Sequence, residues 1–217
     1  MKRVIVNLIS NTPKYIVGQQ RLIKSYYDVI GTNSGIDLHT IVGESSVGSP
    51  LHQENSYAFK IYAIHKARQL GYSQIFWADA SIAFVKNPMP VFDKIYETGF
   101  FFENSGHAIG SWCKEETLSY VGVTREQAMS MPMYSSGMTG LNFDNPLAVD
   151  FFARWKQSML DGHFRGDWSV HRDDQTCASI IANQMDMVKH WTNAGEYFAY
   201  IGDAYGQPSP TAVGHLI

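Results

Sequence analysis

The chain has 217 residues, 45% hydrophobic, 17% charged and 13% aromatic, with a formal net charge of −3. That composition excludes disordered and fibrous classes, and the length favours one compact domain, 1–217, over two. Seventeen Lys and Arg without a basic tract argue against wrapping a nucleic-acid backbone, which needs clustered cations.

Two cysteines, Cys113 and Cys177, cannot frame a disulfide scaffold, and their spacing fits no zinc ribbon. No Asn-x-Ser/Thr sequon occurs. The apolar stretch after Met1-Lys2-Arg3 is short, broken by Asn7 and followed by no small-residue cleavage site, so it is a first strand rather than a signal peptide. No window approaches the ~20 apolar residues of a membrane span. A soluble, cytoplasmic protein is expected.

Val4–Ile9 is dense in β-branched residues and reads as a buried strand. After a loop at Ser10–Tyr15, Leu22, Ile23, Tyr26 and Ile30 recur at helical spacing, with Gly31 as the stop. Asp37–Glu44 is a second strand, followed by a Gly/Ser/Pro loop to Pro50. A second helix starts near Asn55 or Ser56, carries Tyr57, Ile61, Ile64 and Ala67 on one face, and ends at Gly71. Gln74–Ala78 is a short apolar strand that stops at Asp79. This alternation of apolar strands with helices predicts an α/β fold, a mostly parallel sheet with helices on both faces.

The second half is less regular. Val91–Thr98 is a short helix ended by Gly99, and Phe100–Phe102 a strand candidate. Thr124 and Gln127 have capping-box spacing, so a helix starts there. Gly137–Phe143 is a strand, and Asn145-Pro146 opens a helix as N-cap and first-turn proline. That helix aligns Phe151, Trp155 and Met159 and closes at Gly162. Asp173–Met185 is a further helix, and the tail from Gly195 shows no clear period. The chain finishes on His215-Leu216-Ile217 without a polar fray, which suggests that further domains of a longer chain could follow.

Ligands of an open parallel sheet sit beyond the carboxyl ends of its strands. Neither G-x-G-x-x-G nor a P-loop is present at that edge. With few cations available, phosphates bound there would need a divalent ion, which a strand-end carboxylate can hold. Asp79 is placed for that role; the plainer alternative is an Asx-turn. Tyr15 could stack on a base or act as a hydrophobic staple. Lys60, a cation in the first turn of a helix, opposes the macrodipole; it could reach a phosphate or be an ordinary solvated lysine. Asp173 and Asp174 precede a helix, where capping alone could account for one of them. His171 and Arg172 beside them are candidates for contact with a bound phosphate. His163, Asp167 and His171 read as loop residues rather than a metal trio, and Cys113 and Cys177 as core.

Phe76-Trp77-Ala78-Asp79-Ala80-Ser81-Ile82, followed by Asn87-Pro88 and Val91-Phe92, resembles the Asp-x-Asp segment of the GT-A-fold glycosyltransferases. Asn11-Thr12-Pro13-Lys14-Tyr15 looks like the loop after the first strand of glycogenin-like members. Ser135-Ser136-Gly137-Met138 is similar to their sugar-lining turn, Asp173-Asp174-Gln175 to their Asp-Gln element, and Val213-Gly214-His215 to their late metal-binding histidine. The wording of the segments is most similar to glycosyltransferase domains of large chlorella viruses.

The resemblance implies a transferase that moves a sugar from a nucleotide diphosphate, a UDP-sugar, to a hydroxyl of a glycan acceptor. It implies donor binding by Ile9, Asn11, Thr12, Tyr15, Lys60, Asp79 and Ala80, and sugar or acceptor contacts at Ser136 and Gly137. Asp174 would be the general base or the group facing the anomeric carbon, with Gln175 on sugar hydroxyls; inverting and retaining transfer both fit. Asp79, Ser81 and His215 would hold Mn2+, or Mg2+. Ser81 departs from the family, which commonly has a second metal-binding acid there; carboxylate plus imidazole then favours Mn2+. A catalytically silent nucleotide- or sugar-binding module and a nucleotidyltransferase are the alternatives.

Overall fold

A computed structural model describes residues 1–167, 169–188 and 195–201. The elements are β1 (Arg3–Ile9), α1 (Pro13–Val29), β2 (Ile36–Val42), α2 (Ala58–Gln69), β3 (Gln74–Ala78), β4 (Ile82–Phe84), α3 (Met89–Thr98) and β5 (Phe100–Ala108). Then come α4 (Glu115–Tyr120), α5 (Arg125–Ser130), β6 (Pro132–Asn142), α6 (Pro146–Leu160), α7 (Asp173–Gln184) and β7 (Phe198–Tyr200).

The central sheet has the order β2-β1-β3-β6-β5. β1 pairs in parallel with β2 and β3, and β6 runs antiparallel to both β3 and β5. The sheet is therefore mostly parallel, with β6 as its one reversed strand. Side chains alternate between two cores. Val4, Val6, Leu8, Ile75, Trp77, Phe100 and Phe102 pack under α2, α6 and α7. Ile5, Phe76 and Phe101 face Leu22 and Tyr26 of α1 and Val91, Phe92 and Ile95 of α3. Each fully buried side chain of this size contributes ~1.5–3 kcal/mol, so strands apolar on both faces are stable only with helices above and below. The predicted α/β architecture is the observed one.

Several local expectations need correction. α1 begins at Pro13, inside the predicted Ser10–Tyr15 loop, because Thr12 is extended as N-cap and Pro13 fits the first helical position. α2 starts at Ala58, after Tyr57 in a left-handed conformation (φ 56°). Ser135-Ser136-Gly137 is no turn. It lies within β6, where the pairing steps two residues along β5, Phe102 to Asn104, and five along β6, Thr139 to Tyr134. That bulge bends β6 where it passes the end of β3. The tail contributes β7, which pairs with β4 and stacks Phe198 on Phe76 at 5.1 Å.

Other signals hold. Thr124 Oγ1 accepts from Gln127 N, and Gln127 Oε1 accepts from Thr124 N, closing the capping box of α5. Gly99 ends α3 at φ 94°, and a Cβ there would lie 2.4 Å from the Asn145 amide that caps α6. Among the described residues, no helix is long and apolar enough to cross a membrane.

Candidate functional site

The carboxyl ends of β1 and β3 are tied together from below. Buried Asn7 donates to the Ala78 carbonyl at 2.7 Å and accepts from Gln19 Nε2 at 2.8 Å; Gln19 also donates to the Ile41 carbonyl. Such buried bonds add only ~1 kcal/mol each, but leaving one unmade costs ~1–3 kcal/mol, so strand ends and α1 are held in register. Asp79 follows directly. Its backbone N–H donates to the Gly137 carbonyl at 2.9 Å, so the β6 bulge fixes it from the other side. A Cβ at Gly137 would sit 3.2 Å from Asp79 Oδ2, a contact that favours glycine here.

Lys60 organises the site. Only 1% exposed, its ammonium lies 3.1 Å from Asp174 Oδ2 and 3.4 Å from Asp79 Oδ1. It also donates to the carbonyl and hydroxyl oxygens of Ser136, at 3.1 and 3.2 Å. Lys60 is therefore no solvated lysine. Burial alone would depress its pKa, yet Asp174 and Asp79 outweigh that and hold it above the ordinary value. Trp77 Nε1 donates to Asp79 Oδ1 at 2.6 Å. Burial, opposed by Lys60 and reinforced by the charge of Asp79, raises the pKa of Asp174. Gln175 Oε1 accepts from Ser136 N at 3.3 Å.

Two cavities meet at this cluster. The first, beyond β1, is lined by Ile9, Tyr15, Asp79, Ala80 and Ser81, together with His52 and Tyr57. The second, about 310 Å³, is lined by Lys60, Asp79, Ser136, Gly137, Asp174 and Gln175, together with Trp112 and Arg172. Most predicted site residues thus come together. Asn11 and Thr12 line neither cavity: Asn11 is exposed, and Thr12 is the N-cap of α1. His171 is buried, with Nε2 bonded to the His163 carbonyl, and does not reach the cavities. Arg172 does, its guanidinium 3.9 Å from the Trp112 ring centroid. The Val213-Gly214-His215 segment lies outside the described residues.

Sequence reasoning missed His52, Tyr57 and Glu44. Buried Glu44 accepts from Ser10 Oγ at 2.5 Å. Against the upward pull of burial, that bond, backbone N–H groups and the charge of His52 keep its pKa below the usual carboxylate range. No short-range signal marks these residues, because the loop that carries them is set by tertiary packing. His163 and His171 bond to Thr117 and to the His163 carbonyl. Among the described residues no group of three His, Cys, Asp or Glu is placed to hold a metal.

Asp173 carries a further testable property. It is 3% exposed in a left-handed conformation (φ 40°), and burial and the charge of Asp174 raise its pKa to about 7. Between an unfolded value of ~3.9 and that folded value, the folded state keeps a proton that the unfolded chain releases. The stability this gives is complete below pH ~4 and is lost as pH rises to about 7. Asn tolerates the same backbone and cannot ionise. Asp173→Asn should therefore melt above the parent at pH 8 and level with it near pH 4. Thermal melts from pH 4 to 8 check this; parallel curves would place the raised carboxyl elsewhere.

No protein-family model matches the sequence, and curated proteins give no sequence match. Solved structures do match in shape. The chain is similar to mouse xyloside xylosyltransferase 1, with a TM-score of 0.56 at 11% identity over 90% of this chain and 86% of that one. It is similar to the bifunctional glycosyltransferase WbbM, at TM-score 0.56 and 9% identity, covering 89% of this chain and 39% of that one. GlyE of Streptococcus pneumoniae TIGR4 matches at TM-score 0.51 and 9% identity, over 90% of this chain and 46% of that one. At such identities the likeness establishes the fold: this is a GT-A-like α/β domain, as the resemblance in sequence implied.

Proposed function

We propose that the chain is a glycosyltransferase that moves a sugar from a UDP-sugar to a hydroxyl of a glycan acceptor. The observation that carries this reading is the buried Lys60 ammonium joining Asp79, at the strand edge, to Asp174, on α7, where two cavities meet. A donor needs such paired volumes, one for the nucleotide and one for the sugar and acceptor. Similarity of shape to proteins named as glycosyltransferases supports it.

The oxygen donors at the edge suit a hard divalent cation. Asp79 Oδ2 makes no hydrogen bond among the described residues, and the buried Ser81 hydroxyl has no hydrogen-bond partner there. One carboxylate and one hydroxyl leave most positions to diphosphate oxygens and water, a pattern common for Mg2+ with phosphate substrates. We place Mn2+ or Mg2+ at Asp79 with Ser81 and His215, where it would supply Lewis-acid charge to the diphosphate.

The chain's own residues do the rest. Tyr15 and Ile9 bound the nucleotide side. Gln175, whose Oε1 accepts from Ser136 N and whose Nε2 donates to Met133 Sδ, lines the sugar side with Ser136. Asp174, held by Lys60, faces the reacting carbon. In an inverting transfer it takes the proton of the acceptor hydroxyl as that oxygen attacks and the bond to diphosphate breaks; in a retaining one it stabilises the cationic carbon. Release of UDP from a panel of UDP-sugars with Mn2+, in the absence of acceptor, tests the proposal. Slow release is expected, reduced ~100-fold or more in Asp174→Asn. No release by the parent, or equal release by the variant, would contradict it.

A further inference from the structure

Of the described residues, Asp79 and Tyr57 alone line both cavities. A donor with its base in one cavity and its sugar in the other must pass its diphosphate by these two side chains. Asp79 is an acid and repels the phosphates unless a cation intervenes. Tyr57 is neutral, and its phenolic O–H makes no hydrogen bond to any described residue. Burial, reinforced by the charges of Asp174 and Asp79, pushes its pKa well above the ordinary tyrosine value, so it stays protonated and able to donate.

The backbone carries a second, independent sign. Tyr57 sits at φ 56°, ψ 7°, immediately before α2. A bulky residue keeps this left-handed conformation only when its surroundings over-determine it, and such strain gathers at ligand clamps. Here the surroundings are visible. The Tyr57 N–H donates to His52 Nδ1 at 3.2 Å, the His52 ring meets the Tyr57 ring edge-on at 4.7 Å, and Lys60 Nζ lies 4.9 Å over its face. Glycine or asparagine would take this backbone at less cost, so the ring and its hydroxyl are what the strain retains.

We infer that Tyr57 is a donor-binding residue whose hydroxyl donates a hydrogen bond to the diphosphate at the junction of the two cavities. This rests on the nucleotide-sugar reading above. Tyr57→Phe tests it, since the ring, backbone and cavity walls persist and only the O–H is lost. Calorimetric titration with UDP and with uridine, both with Mn2+, should show UDP binding weakened ~10-fold or more, the effect of a lost bond to a charged acceptor. Uridine affinity and melting temperature should not change. Equal UDP affinity in parent and variant, or equal losses for UDP and uridine, would overturn the assignment while leaving the nucleotide site intact. A parent that binds neither compound would overturn both readings.

Discussion

Lys60→Met should lower the melting temperature by on the order of 10 °C and, on the function proposed above, abolish sugar transfer. Asp174 is buried, with a side chain 3% exposed, and the Lys60 ammonium is the cation paired with it at 3.1 Å. Removing one partner of a buried pair costs ~3–5 kcal/mol, because the other charge is left without compensation. In a domain of this size each kcal/mol shifts melting by ~2–4 °C. Asp79 adds less to the penalty, since its side chain is 20% exposed and keeps the Trp77 N–H. The doubly substituted Lys60→Met/Asp174→Asn protein removes both charges and should recover at least half of the loss. Thermal melts of the parent, both single variants and the double variant measure this coupling. A Lys60→Met protein that melts within ~2 °C of the parent would mean the cluster does not hold the fold together.

Much of the fold was legible because the physics is local. Val4–Ile9 and Gln74–Ala78 are apolar on both faces, and a strand buried on both faces requires helices above and below. Gly99, Asn145-Pro146 and the Thr124–Gln127 box mark helix ends by chemistry confined to a few residues. The direction of β6 was not legible, since an apolar run does not say which way it pairs. β4 and β7 are three residues each, too short to show a period.

The site divides in the same way. Asp79 stood out because a charge directly after a buried strand must lie at an edge or beside a cation, and both hold. Lys60 looked like a misplaced surface cation, because the carboxylates that account for it lie on β3's edge and α7, brought close only by the fold. Ser135-Ser136-Gly137 reads as a turn only through its resemblance to the sugar-lining turn of the GT-A enzymes. The sheet uses them for a bulge that turns the Ser136 carbonyl toward Lys60. Tyr57 reads as one more apolar helix residue, and nothing in its neighbours signals a left-handed backbone.

Asp79→Ala should leave the fold intact and weaken nucleotide binding at least ~10-fold. The side chain is partly exposed at the end of β3, and its backbone bond to Gly137 survives the substitution. What disappears is the carboxylate that faces both cavities and to which the divalent cation is assigned. Loss of even a supporting group at a metal site costs ~10–100-fold in affinity, and loss of a direct ligand should cost at least as much. The decisive measurement is calorimetric titration of UDP with Mn2+ into the parent and Asp79→Ala proteins. UDP should bind the parent, more tightly with Mn2+, and bind the variant at least ~10-fold more weakly; undiminished UDP affinity in Asp79→Ala would mean that this carboxylate holds no cation.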